Sequence, residues 1–543
     1  MNHFQDLVWT LPFFLYAETH YRFKFFFSFL RKSEPEVIAD APHRIEPGTD
    51  IPLLILSKDA DKFPSILSSV KVSYLQSGNV VRQIELIDTA VKLNERMWWR
   101  VYTLSREGIN GWLELDVQLT IVTSGKTKTY HSDNHRTSTH APLRAYLSDE
   151  PLPRFSGLNF GDAHTHSDRT DDQVEFGVPP GAAVELSKFI GLSFFCIADH
   201  SYDLDDSVDD YTTNDPAFPK WKSLLGEIER INAAHSDFAV LSGEEVSCRN
   251  LSGRNVHCLL FGDERFFPGS GDGAEDWLRT GSEHSILDIL SQKRERALAF
   301  AAHPMDRVSI LQRLLLNRGS WSTNDLSDSR LAGIQFANGI TNYGYTNGYK
   351  AWIQRLLKGQ RIYCLAGNDA HGNFNRFRQI GIPFFSIRES GSQLFGKMRT
   401  AVFLRSKFGQ SAILHSLSEG RFIVTDGPVA NIVIKGGETS DTSIGGRLVG
   451  SDFEVLITSA SSREFGQIKR VSVFVGVIGE PAERLFVSEC VSGIFSYLKT
   501  FSLRVTEPMY MRAEVYSSAE NASDKTQHFC FTNPVWLMPL AHP

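Results

Sequence analysis

The chain contains 17 histidines, and six of them stand in short motifs whose residue types and spacing suit metal ions. The first motif is Gly161-Asp162-Ala163-His164-Thr165-His166-Ser167. In an extended segment residues i and i+2 share a face, so His164 and His166 present two imidazoles to one ion. Asp171, beside Asp172, follows closely and adds a carboxylate. Next come Ile197-Ala198-Asp199-His200, Gly243-Glu244-Glu245-Val246-Ser247 and Asn255-Val256-His257. The last two are Phe300-Ala301-Ala302-His303-Pro304 and Gly367-Asn368-Asp369-Ala370-His371-Gly372, the latter again with i, i+2 spacing. Each has an ordinary explanation by itself: a strand-end histidine is commonly a hydrogen-bonded structural residue, and a Glu-Glu pair a solvated loop. Their recurrence at the ends of apolar runs is not explained that way. Charged groups collected against a core carry a large desolvation cost unless something offsets it, and mixed imidazole and carboxylate sets suit zinc, manganese or iron.

His164, His166, Asp171, His200, Glu245, His257, His303, Asp369 and His371 make nine candidate ligands. One tetrahedral ion needs three or four, so the set implies two or three divalent ions with a bridging carboxylate such as Glu245 or Asp369. Such a centre activates a water to hydroxide near neutral pH and stabilises charge on a substrate oxygen. In this reading His303 is the candidate proton donor, and Asp162 and Asp199 orient ligand histidines. Arg254 and Arg376 stand close to the motifs and are candidates to clamp an anionic oxygen; the alternative is a surface arginine. Tyr343 and Tyr345 are candidates to line the pocket, with plain loop packing the alternative. The glycine-rich run Pro268–Gly273 lacks the Gly-Lys-Ser/Thr ending of a phosphate loop.

These motifs need strands to position them. From 154 to 428, apolar strands alternate with helical segments, which predicts a parallel sheet, barrel or doubly wound, with ligands at the carboxyl ends of the strands. The segment 35–153 reads as short strands separated by turns, a β-sandwich-like domain. In it Leu113, Leu115, Val117 and Leu119 alternate with Glu114, Asp116, Gln118 and Thr120. The segment 429–543 reverts to β. Residues 1–34 form a leader whose two apolar patches are each too short to span a membrane.

The net charge of −7 over 543 residues, without a long basic run, argues against a duplex nucleic-acid partner. A small, anionic substrate held by metals remains compatible with it. The six cysteines form no CxxC pair and are too sparse for a disulfide framework, which favours a cytoplasmic location.

The order HxH, Asp, Asp-His, Glu-x-Ser, His, His-Pro, Asp-x-His resembles the PHP (polymerase and histidinol phosphatase) superfamily over residues 158–428. The resemblance selects Glu245 rather than Glu244 as the bridging acid, because Val246-Ser247 follow it. Gly161-Asp162-x-His164-x-His166, the run Leu417–Pro428 and Thr532-Asn533-Pro534-Val535-Trp536 resemble the CehA/McbA-like branch. Here Val256 precedes His257 where a glycine is commoner. The resemblance implies an α/β fold: a distorted (β/α)7 barrel flanked by N- and C-terminal β-sandwich-like domains, with up to three metals. It implies a metal-dependent hydrolase, first of all a phosphoesterase. The alternatives are an ester, amide or carbamate hydrolase, or a non-enzymatic binding protein with a structural metal site.

Overall fold

The computed structural model describes residues 33–540 except 88, 135–138, 171–176, 211–212, 272–279, 377–378, 383–384, 389–392, 437–441 and 520–526. Asp171 and nearly all of the 1–34 leader lie outside the described residues. Among the described residues no helix is long and apolar enough to cross a membrane.

The chain divides into two compact units. One comprises Met1–Pro151, His166–Gly191 and Ala370–Gly396; the other comprises Leu152–Thr165, Leu192–Asp369 and Lys397–Pro543. The first unit is built on a three-stranded and a seven-stranded sheet. Its strand Gly111–Thr123 buries Leu113, Leu115, Val117 and Leu119 completely, so the alternation in the sequence is that of a strand with one face on a core. Val37, Ile55, Val72 and Tyr74 fill the same core. Helix Pro180–Ile190 belongs to this unit: Phe189 packs on the core, and Arg44 Nη1 donates to Ile190 O at 2.7 Å.

In the second unit seven strands carry or flank the motif residues. They are β1 (Leu158–Thr165), β2 (Phe194–Ile197), β3 (Ala239–Arg249), β4 (Asn255–Phe261), β5 (Leu298–Ala302), β6 (Gly333–Asn338) and β7 (Tyr363–Gly367). They lie side by side in sequence order. Beyond β1 the same sheet continues through Arg399–Phe403, Phe422–Thr425, Gln527–Thr532, Met509–Ser518, Gln467–Val477 and Arg484–Ile494, each antiparallel to its neighbour. A four-stranded sheet formed by Thr442-Ser443, Val429–Lys435, Asp452–Ala460 and Ser496–Arg504 completes the unit.

The expected (β/α)7 barrel is therefore corrected to a β-rich, curled mixed sheet. Pairs β1/β2, β2/β3, β5/β6 and β6/β7 are parallel, but β4 is antiparallel to both β3 and β5. The cause is local. Only residues 250–254 separate β3 from β4, and a parallel return needs a crossover of a dozen or more residues. Helix Pro180–Ile190, which follows β1 in sequence, packs instead in the other unit. The curl brings the β7 end back to β1: Asn368 N and Asp369 N donate to His164 O at 3.3 and 2.9 Å. Gly367 is required at this closure, since a Cβ there would lie 2.5 Å from His164 Cβ.

Candidate metal centre

Strand geometry delivers the site. On β1 the two-residue period places Asp162 and His164 on one face, and both are fully buried. Glu245, on β3, is also fully buried, and four imidazoles surround its carboxylate. His257 Nδ1 and His303 Nε2 lie 2.8 and 3.0 Å from Oε1. His200 Nδ1 and His164 Nε2 lie 2.9 and 3.3 Å from Oε2. Asp369 Oδ1 stands 3.4 Å from His164 Nε2. His200, Glu245 and His257 each bring a ligand atom within 4.8 Å of the others, and His164, Glu245 and Asp369 do the same. Glu245 belongs to both clusters, so its carboxylate could serve both groups of candidate ligands.

The electrostatics fit that arrangement. Burial raises the Glu245 carboxyl, but the surrounding imidazoles, His257 foremost, pull it well below its ordinary range. Burial lowers the His164 imidazole, and the Glu245 and Asp369 carboxylates outweigh this and raise it to about 9. Imidazole and carboxylate donors converging in a buried pocket form the ligand set of a divalent ion, so the residues present fit the metal implied by the sequence.

The geometry also adds residues that the motifs did not indicate. Gln335 Oε1 accepts from His164 Nδ1 at 3.0 Å, Gln335 Nε2 donates to Asn338 Oδ1 at 2.9 Å, and Asn338 Nδ2 donates to Asp369 Oδ2 at 3.3 Å. The available signal was a pair of buried amides in the apolar run Gly333-Ile334-Gln335-Phe336-Ala337-Asn338. The nearby Trp321 indole donates to His257 O at 3.1 Å, fixing the start of β4.

The remaining candidates fall as follows. His166 and His371 belong to the first unit, where their rings stack with centroids 4.1 Å apart. Asp162 was expected to orient a ligand ring. Its carboxylate accepts from the backbone N–H groups of His164 and Asn368 at 3.2 and 3.1 Å and from Asn368 Nδ2 at 2.7 Å, fastening the approach to Asp369. The Asp199 carbonyl accepts from Glu245 N at 3.0 Å. Arg254 does not supply an anion clamp, because it sits in the β3–β4 turn and donates to Arg313 O and Asn317 Oδ1 at 3.1 and 2.9 Å. Arg376 is buried in the first unit against Asp40 at 3.5 Å and Asp133 at 4.0 Å. Tyr345 is core rather than pocket lining: its ring packs on Phe336 and Phe529, with centroids 5.5 and 5.6 Å apart, and burial drives its hydroxyl far above the usual range. Tyr343 is half exposed, with the Arg307 guanidinium 4.3 Å over its ring.

No protein-family model and no curated protein matches the chain. Among solved structures, one similar chain is a β-glucuronidase from Parabacteroides merdae, at 9% identity and TM-score 0.18, covering 94% of this chain and 65% of that one. Another is a β-D-mannosidase from Dictyoglomus thermophilum, at 8% identity and TM-score 0.22, covering 91% of this chain and 66% of that one. The chain thus spans just under two thirds of the length of each. Likeness of that extent fixes neither fold nor activity. The phosphoesterase expectation is corrected nonetheless. The two arginines expected to hold an anionic phosphate make their contacts elsewhere.

Proposed function

We propose that the second unit carries a centre for two divalent metal ions and that the protein is a metal-dependent hydrolase. One observation carries the reading: the fully buried Glu245 carboxylate has imidazole nitrogens of His164, His200, His257 and His303 at 2.8–3.3 Å. One ion would be held by His200, His257 and Glu245, and the other by His164, Asp369 and Glu245. Bound there, divalent ions supply Lewis acidity and make water a nucleophile near neutral pH. The chain's own residues do the rest. Glu245 holds the two ligand groups together. His303, with Nε2 on Glu245 and Nδ1 4.0 Å from Asp306 Oδ2, is placed to hold or pass a proton at the edge of the cluster. The resemblance of the motif set to the PHP superfamily supports the same assignment of ligands.

The test is metal analysis of the full-length protein after dialysis against Zn2+ or Mn2+. Two ions per chain are expected, falling to one or none in Glu245→Ala. Metal-stripped and reloaded protein is then assayed on p-nitrophenyl acetate, phosphate and glycosides. Nitrophenol release that EDTA abolishes is expected. Absence of bound metal sinks the centre, and silence on every probe with metal bound sinks the hydrolase.

A further inference from the structure

Gln335 and Asn338 are buried, with 0% and 8% exposure, in an otherwise apolar strand. A buried amide without partners is costly, and these two spend their bonding on the centre. The polarity of their chain of hydrogen bonds is set from one end. The Asp369 carboxylate only accepts, so the Asn338 group 3.3 Å from Oδ2 is the amide NH2. Asn338 Oδ1 then faces Gln335, whose NH2 donates at 2.9 Å. Gln335 Oε1 is thereby turned toward His164 Nδ1 at 3.0 Å, so Nδ1 carries the proton. With the Nδ1 proton turned to Gln335, Nε2 is the nitrogen that faces Glu245 Oε2 at 3.3 Å and Asp369 Oδ1 at 3.4 Å. With a cation in place of a proton on Nε2, these three atoms are a ligand set.

We propose that Gln335 and Asn338 are positioning residues of the metal centre. They lock His164 in its Nδ1–H tautomer and steady the Asp369 carboxylate, so that ligands from β1 and from beyond β7 aim at one ion. The inference rests on the metal reading above and adds to it the selection of one tautomer. An amide is suited to both tasks, since it offers an acceptor and a donor without adding charge to a pocket already holding two carboxylates.

Zn2+ is titrated into full-length, metal-stripped protein against a chromophoric chelator. Gln335→Met and Asn338→Leu keep the side-chain volume and remove the relay, and each is expected to weaken the tighter Zn2+ site about 10–100-fold. In Zn2+-loaded, 15N-histidine-labelled wild-type protein, the His164 signals, assigned by their loss in His164→Gln, are expected in the Nδ1–H form. This spectroscopic measurement needs no relay variant to fold. Zn2+ affinity within twofold of wild type in both variants, or a His164 ring in the Zn2+-loaded protein without a proton on Nδ1, overturns the inference alone. A wild-type protein that binds no Zn2+ overturns the metal reading and the inference with it.

Discussion

His303 and Asp369 adopt backbone angles that side chains other than glycine rarely hold, with φ +26° and +53°. Each follows the end of an apolar strand, and each points a polar group at Glu245 or His164. Such strain persists only where the surroundings enforce it, and it concentrates at functional sites. Asp369→Asn separates the two roles of Asp369. Asparagine tolerates the left-handed region about as well and still accepts from Asn338, but it gives up the charge. The metal-free variant is expected to melt within about 2 °C of wild type, a change under roughly 0.5 kcal/mol. Its Zn2+ affinity is expected to fall at least tenfold. Equal affinity would remove Asp369 from the centre. The candidate ligands could be named from the sequence because histidine and carboxylate types at strand ends carry their chemistry openly. Gln335 and Asn338 were not, since an amide in a strand has no spacing signature. Arg254 and Arg376 misled because nearness in sequence to a motif says nothing of direction. One is turned into a hairpin, and the other is buried against Asp40.

Strands and glycines decide whether these side chains meet. Gly367 lies where the sheet curls onto β1, and a Cβ there would approach His164 N to 2.6 Å and Cβ to 2.5 Å. Both neighbours are on a strand and cannot rotate aside. Gly367→Ala is expected to destabilise the protein by about 1–3 kcal/mol in urea unfolding, and to weaken Zn2+ binding as well, because the displaced strands carry His164 and Asp369. Unchanged stability would show that the closure is looser than these distances imply. A second lock joins the C-terminal strands to helix Tyr343–Leu357, which follows the strand carrying Gln335. Arg512 is fully buried; it contacts Glu483 at 2.6 Å, Glu514 at 2.5 Å and the Tyr349 hydroxyl at 2.6 Å, with Phe474 4.6 Å beneath it. Removing one partner of a buried ionic group leaves uncompensated charge. Arg512→Ala is therefore expected to cost about 3–5 kcal/mol in the same measurement, and a cost under about 1 kcal/mol would mean that water reaches the network. Burial raises the Glu514 carboxyl, but Arg512 and the hydroxyl of Tyr349 hold it below 4.5. Its contribution is thus complete above that value and is lost as the pH falls through the lower folded value. The alternation of strands was readable as period two. The direction of β4 was not, because a strand's own sequence does not record its neighbour's polarity; the short turn at 250–254 does.

Each unit has its own hydrophobic core. Val37, Ile55 and Val72 belong to one, and Cys196, Leu241 and Phe300 to the other. The sequence marked the change of rhythm near residue 153 but not that 166–191 and 370–396 belong with the N-terminal strands. Chain order carries no direct trace of such returns. His164, His200, Glu245, His257, His303 and Asp369 all belong to the second unit, and this predicts how the whole molecule responds to metal. A ligand that binds only the folded form stabilises it by mass action, by about 4 kcal/mol at a thousand times its dissociation constant. Differential scanning calorimetry in EDTA is expected to resolve two transitions, of which Zn2+ raises the one belonging to the second unit. The transition is assigned by Arg512→Ala, whose substitution lies in that unit and lowers the same peak. The negative total is part of the argument, for the net charge of −7 includes Glu245 and Asp369, and two divalent ions would offset about four of those charges. Stabilisation should accordingly survive 0.5 M NaCl, because the cluster is buried and weakly screened, whereas a surface-bound ion would be displaced. A Zn2+ shift that salt abolishes, or one that moves only the peak unaffected by Arg512→Ala, would place the bound metal elsewhere on the molecule and end the case for the Glu245 centre.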